Sequence, residues 1–425
     1  MANSLGSTDY SINSMVNCHT FHWISNLRCW TRNGISSPQN KSSFTTYTLL
    51  LAQEDNNIQR IPTRVYKREK RTVLSYTEYR KFERRHESTG NIIITLDEVV
   101  ERALIFKGWD MMRIAAVVVT YNRKRLLIEC LEALRRQTRS PNAIYIIDNA
   151  STDGTPQLLQ EKGYIEDLEG GISRINNLYD GRPIKVVYVR MKENTGGAGG
   201  FHEGVKRAYN DGYDWIWLMD DDVELEDDAL EMLLKWRGRI KGKKSALVPV
   251  RYFNRSFFNL ETKKFNFRNP FRHFTYDIVT EDDLKCNYFQ VSGISFEGPL
   301  IKREAISSVG FPNKNFFIIG DDTDYAIRLQ NYGPLYMVSD AHLIKKVVTS
   351  GEFNWKAYYY IRNIIYLDRK YGENIFVRYL RPFITLIKYI PYFFMKKPRN
   401  VKYILKAFKD GYQLKMGMTL PPGEF

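Results

Sequence analysis

Trp215-Ile216-Trp217-Leu218-Met219 runs directly into Asp220-Asp221-Asp222, and these eight residues decide the fold. Five apolar residues in succession suit a strand covered on both faces. Three neighbouring carboxylates at its end cannot all stay ionised without a counterion. Acidic oxygens gathered at a strand end suit a hard divalent cation that keeps positions open for phosphate oxygens. A solvated acidic turn is the competing explanation, because Glu224, Glu226, Asp227 and Asp228 would also favour the start of a helix.

The flanking sequence weighs against that competitor. Ile114-Ala115-Ala116-Val117-Val118-Val119 is a second continuous apolar run, and from Met112 onward strand and helix patterns alternate. Helical patterns cover 124–138, 155–162, 197–209 and 227–236. Strand patterns cover 143–147, 184–190, 214–219 and 245–250. This rhythm predicts an α/β fold with a mostly parallel, doubly wound sheet, whose ligands bind beyond the carboxyl ends of the strands. The unusual residues fall at those ends: Thr120-Tyr121-Asn122-Arg123, Asp148-Asn149 and Asp220 to Asp222. No internal repeats are visible.

The chain has 425 residues, 43% of them hydrophobic, and a formal net charge of +15. That charge points to an anionic partner. The four cysteines (Cys18, Cys29, Cys130, Cys286) are widely spaced, which excludes a disulfide framework and a cysteine-rich zinc site. No apolar run reaches the roughly 18 to 20 residues of a spanning helix, and the N-terminus lacks a secretory pattern. A cytoplasmic protein is expected.

Charge is concentrated near the C-terminus. Residues 356–425 carry 14 Lys/Arg against four Asp/Glu and are rich in Tyr, Phe and Ile. Rings that bury beside ammonium groups that snorkel suit the headgroups of an anionic membrane, here its inner face. A basic tail packed on its own domain is the plainer alternative. Nucleic acid is set aside as a partner, since no recognisable module for it is present. Residues 1–110 are expected to be an accessory or poorly structured extension, with a strand and an amphipathic helix only over 91–108. Initiation at Met111 or Met112 would account for its different character.

Several other segments carry chemistry. Asn194-Thr195-Gly196-Gly197-Ala198-Gly199-Gly200 opens a helix, where glycines permit close backbone approach and free amides face an anion. Tight helix-on-sheet packing explains the same glycines equally well. Asp148 ends a strand and suits contact with a nucleobase or ribose, whereas Asp153 suits simple capping. In Gly320-Asp321-Asp322-Thr323-Asp324-Tyr325, a carboxylate at a helix start is favoured as the anion, as a general base requires. Asp324 fits capping alone. His342 is a lone histidine that an oxygen-liganded metal could recruit.

In this order, the segments at 117–123, 147–155, 193–201, 218–222 and 320–325 resemble the motifs of the inverting family 2 glycosyltransferases, and within them galactofuranosyl- and rhamnosyltransferases. The resemblance implies a GT-A fold (the nucleotide-diphospho-sugar transferase class), a doubly wound mixed sheet over 111–346, followed by a basic helical region over 347–425. It implies that Thr120, Tyr121, Asn122, Arg123, Asp148, Asn194, Gly197 and Asp221 hold the donor nucleotide sugar. Asp220 and Asp222 would bind Mn²⁺ or Mg²⁺, with His342 as a third ligand, and Asp322 would be the catalytic base. The implied reaction moves galactofuranose from a UDP-sugar, or rhamnose from a dTDP-sugar, to a lipid-linked glycan of a bacterial surface polysaccharide. Two features depart from the polymerising galactofuranosyltransferases: Gly320 stands where they carry Trp, and residues 1–110 do not resemble their N-terminal β-domain. Addition of one or a few residues is therefore expected. A nucleotidyltransferase would need a basic glycine-rich loop after the first strand, which 120–124 does not supply. A non-catalytic scaffold would be expected to lack a carboxylate at 220, 222 or 322.

Overall fold

The computed structural model describes residues 29–32, 46–51, 59–63, 112–258, 261–348, 354–396, 398–421 and 424. The strand and helix expected over 91–108 lie outside these residues. The chain divides into two units, Met1–Trp109 and Asp110–Phe425. In the first, β1 (Cys29–Arg32), β2 (Thr46–Leu51) and β3 (Gln59–Thr63) form an antiparallel sheet in that order.

The second unit is built on one mixed sheet. Its strands are β4 (Ile114–Thr120), β5 (Ala143–Asp148), β6 (Gly170–Asn176), β7 (Pro183–Arg190), β8 (Trp215–Asp220), β9 (Val223–Leu225) and β10 (Ala246–Phe253). There follow β11 (Ser256–Phe257), the small hairpin β12 (Thr262–Phe265) and β13 (Thr275–Ile278), then β14 (Tyr288–Val291), β15 (Leu300–Lys302) and β16 (Leu335–Lys345). The main order is β14-β16-β10-β15-β8-β4-β5-β7-β6. Strand β4 runs parallel to β5 on one side and to β8 on the other. The connection order therefore reverses at β4, and the crevice beyond β4 and β8 is the expected ligand site. Antiparallel β15 sits between β8 and β10, which makes the sheet mixed.

Buried side chains fix this arrangement. Every residue of β4 and β5 is buried, as parallel strands covered on both faces require. Helices α1 (Lys124–Arg135), α2 (Thr155–Glu161), α3 (Gly196–Asn210) and α4 (Ala229–Arg239) cover the sheet, and α5 (Arg303–Val309) and α6 (Asp321–Leu329) follow. Helix α3 lies very close to β4. A Cβ on Gly200 would come within 2.5 Å of Val119 Cγ1, and one on Gly204 within 2.3 Å of Val117 Cγ1. These glycines serve packing.

Three C-terminal helices, α7 (Lys356–Tyr371), α8 (Arg381–Lys396) and α9 (Val401–Tyr412), complete the unit. They share a core with the preceding domain: Phe317 packs among Tyr358, Tyr359 and Ile361, while Ala198 and Phe316 pack with Ile364 and Leu367. Buried Arg381 clasps buried Asp368 at 2.6 Å and donates to Asn266 O at 2.7 Å, tying α8 to α7 and to the hairpin loop. The basic region is therefore docked through its first helix.

Candidate active site

Strand β8 delivers Asp220 to the crevice, and Asp221 and Asp222 follow in the turn before β9. Thr120, at the end of β4, donates its hydroxyl to Asp221 at 2.7 Å. Arg123 bridges the turn, with Nη1 3.3 Å from Asp221 and 2.9 Å from Asp222. Burial pushes the Asp221 carboxyl up to about 6, against the pull of Arg123. Burial and the neighbouring Asp222 and Glu297 carboxylates hold Asp220 well above the ordinary aspartate range. Cys130 of α1 lies beneath, its Sγ directed at Asp220 O at 3.7 Å, and burial and Asp221 raise its thiol pKa.

A residue that sequence reasoning missed completes the acidic cluster. Carboxylate oxygens of Asp220, Asp222 and Glu297 all lie within 4.8 Å of one another. Glu297 precedes Gly298, whose φ of +90° and lack of a side chain let the chain pass against Pro249 and Leu343. Gly298 N donates to Leu218 O and its carbonyl accepts from Trp217 Nε1, so Glu297 is pinned beside β8. Arg251 and Lys345 each reach Glu297 at 2.6 Å, and Arg251 also pairs with Glu261 at 2.7 Å. Two cations thus balance two carboxylates beneath the cluster. The only advance signal was Gly298, a glycine beside an acid.

The three carboxylates fit a divalent cation. Asp222 Oδ1 is buried without a hydrogen-bond partner, with Lys345 Nζ 3.6 Å away. An orphaned buried oxygen among three carboxylates is a ligand set of the hard type. His342 is not brought into this group. Its Nε2 faces Ser339 O at 2.7 Å and its Nδ1 faces Glu226 at 3.3 Å, so both ring nitrogens are engaged on β16. Glu297, rather than His342, has a carboxylate oxygen within 4.8 Å of those of Asp220 and Asp222.

The other expected residues separate into two groups. Tyr121 and Asn122 are exposed at the crevice, where Asn122 adopts φ +53° and its side chain accepts from Thr152 N at 2.7 Å. Asp148 is fully buried; Ser151 N and the Tyr188 hydroxyl each donate to one of its oxygens at 2.8 Å. It braces the turn rather than presenting a free carboxylate. Asn194 accepts from Gly196 N at 2.8 Å, and a Cβ on Gly197 would meet nothing within 4 Å, so this glycine alone of the run at 196–200 leaves open space at the helix start.

Asp322 stands in the first turn of α6, half-buried, with Oδ1 accepting from Thr323 N at 2.6 Å. Burial pushes its carboxyl up to about 6, opposed by the Thr323 hydrogen bonds, with nearby Glu297 raising it and Arg251 lowering it. Its buried neighbour Asp321 is pushed higher, to about 8, by burial and by Asp322 itself. Burial thus holds both carboxyls above the ordinary aspartate range, and the Asp322 charge further disfavours ionising Asp321. Asp324 does not cap the helix. It is fully buried and receives Lys370 at 2.8 Å, Tyr371 at 2.7 Å and Arg328 at 2.9 Å.

Residues 115–305 match the family model of Glycosyl transferase family 2. The galactofuranosyltransferase GlfT1 of Mycolicibacterium smegmatis (strain ATCC 700084 / mc(2)155) is 29% identical over 225 residues, covering 52% of this chain and 66% of that protein. GlfT1 of Mycobacterium tuberculosis (strain CDC 1551 / Oshkosh) is 30% identical over 223 residues, covering 51% and 64%. The chain thus spans just under two thirds of the length of these curated relatives. Among solved structures, that of GalNAc-T7 with UDP, GalNAc and Mn²⁺ aligns with TM-score 0.44 at 12% identity, over 68% of this chain and 57% of that one.

Proposed function

We propose that this chain, whose residues 115–305 form a glycosyl transferase family 2 domain, transfers galactofuranose with inversion from a nucleotide-diphosphate donor to a hydroxyl of a lipid-linked glycan. The observation that carries this reading is the cluster of Asp220, Asp222 and Glu297 beyond β8, with Asp322 near enough to Glu297 to feel its charge. The two GlfT1 relatives favour galactofuranose over rhamnose. Thr120 and Arg123 orient the turn that faces the donor, and the start of α3 at Gly197 offers backbone amides to its phosphates. A divalent cation held by Asp220, Asp222 and Glu297 would neutralise the charge gathering on the departing diphosphate. Asp322 takes the proton of the acceptor hydroxyl as that oxygen bonds to the anomeric carbon, and the nucleoside diphosphate leaves from the opposite face.

The acceptor is reached at a membrane surface. Among the described residues no helix is long and apolar enough to cross a bilayer. The turn before α8 and α8 itself instead expose Phe376, Tyr379, Leu380, Phe383, Ile387 and Phe394 at helical spacing. Between Asn374 and Lys409 there are nine Lys/Arg and no Asp/Glu. An apolar stripe flanked only by cations suits an anionic leaflet and would repel a second copy of itself.

The first experiment offers the purified protein UDP-galactofuranose, dTDP-rhamnose and a small panel of other donors, with Mn²⁺ or Mg²⁺ and then EDTA. Transfer from UDP-galactofuranose that EDTA abolishes is the expected result. Transfer from dTDP-rhamnose would replace the sugar and keep the chemistry. Silence on every donor without nucleotide binding would overturn the proposal.

A further inference from the structure

Three of the four residues before the Asp321-Asp322 pair adopt an unusual backbone. Phe317 has φ +68°, Ile319 φ +61° and Gly320 φ +88°. Left-handed conformers at a bulky and a β-branched residue persist only when their surroundings enforce them. Here the carbonyls supply the enforcement. Phe317 O accepts from Ala198 N at 3.0 Å. Ile318 O and Ile319 O both accept from Asn363 Nδ2 of α7, at 2.8 and 2.6 Å. Phe316 O accepts from Arg362 Nη2 at 2.8 Å. Arg362 also donates Nε to Asn363 Oδ1 at 2.7 Å. A guanidinium can only donate, so it fixes the amide with its oxygen toward Arg362 and its NH₂ toward the loop. Both side chains are buried, and a Cβ at Gly320 would lie only 3.5 Å from Asn363 Cβ.

We propose that Asn363, oriented by Arg362, is a positioning residue for Asp322. Its amide holds the left-handed turn from which α6 departs, and thereby sets where the Asp322 carboxylate stands. The proposal rests on Asp322 being the base. Asn363 is buried behind this loop, so its removal acts on the reaction through the loop that it holds.

The test is a double-mutant cycle with Asn363→Ala and Asp322→Asn in the full chain, read by kcat, donor KM, UDP binding and the pH dependence of kcat/KM. Asn363→Ala is expected to lower kcat by about 10- to 100-fold, the cost of a misplaced catalytic group. Donor KM and UDP affinity should change by no more than about 3-fold, and the acid limb of the pH profile should move. In the Asp322→Asn background the same change should cost nothing further. Retention of wild-type kcat, or an undiminished loss in that background, would overturn the positioning role while leaving the base intact. Full activity of Asp322→Asn would sink the base assignment instead. Should Asn363→Ala fail to fold, Asn363→Asp keeps the volume, removes both donors and is judged by the same criteria.

Discussion

A helix start favours an ionised carboxylate, yet burial outweighs that preference at Asp322 and lifts it to about 6. The consequence is a visible acid limb. Only the carboxylate can accept the acceptor proton, so kcat/KM should rise tenfold per pH unit below about 6 and level off above it. Rates measured from pH 4.5 to 8 check this. Thr323→Val removes one hydrogen bond that favours the anion and should move the limb upward. At the same scale, a Cβ on Gly196 would lie 2.1 Å from Phe317 O. Gly196 also has φ +72°, so Gly196→Ala should be strained twice over.

At the scale of elements, α8 has two faces with separable roles. Its buried face depends on Arg381, whose guanidinium answers a carboxylate and backbone carbonyls together. Arg381→Met leaves Asp368 uncompensated and should cost about 3–5 kcal/mol, measured by denaturant unfolding. Burial already pushes Asp368 up to about 6. The variant also loses the Arg381 contacts that hold Asp368 down, so Asp368 protonates from a still higher value. The loss should therefore shrink as the pH falls toward 6. The exposed face carries Ile387 and Phe394, 69% and 71% accessible. The paired change Ile387→Glu and Phe394→Glu should abolish sedimentation with vesicles containing phosphatidylglycerol. Turnover of a short soluble acceptor should be unaffected, because both side chains are exposed and belong to neither the acidic cluster nor the turn at Asp322.

At the scale of the molecule, the sequence exposes what is periodic or contiguous and hides what is assembled. The apolar runs of β4 and β8 and the alternation around them placed the sheet and the ligand site beyond the carboxyl ends of its strands; the reversal of strand order at β4 emerged only from the pairing. The triple aspartate and Asp322 stood out because acids at element ends lack an ordinary structural purpose. Glu297 did not stand out, since its neighbour in space is reached across 77 residues of chain through a backbone pairing of Gly298 with β8. Asn363 and Arg362 were hidden for the same reason: inside an amphipathic helix they look like solvated polar residues, and only the fold turns them inward. His342 is the converse case, a residue whose chemistry suits a metal and whose ring faces Ser339 and Glu226 instead of the acidic cluster.

Cys130 lies behind the triple aspartate, fully buried, while Cys286 is exposed. This contrast furnishes a native clock. A thiol-alkylating reagent should modify Cys286 at once and Cys130 only when the sheet opens, since the thiolate is the reactive form and burial suppresses it. Mass analysis of the Cys130 peptide over time then counts openings at the carboxyl end of β8 without any label being introduced. A nucleotide seated beyond that strand should slow the clock by 1 + [L]/Kd, about 100-fold at a hundred times its dissociation constant. Occupancy of the crevice could be timed in this way before any sugar is transferred.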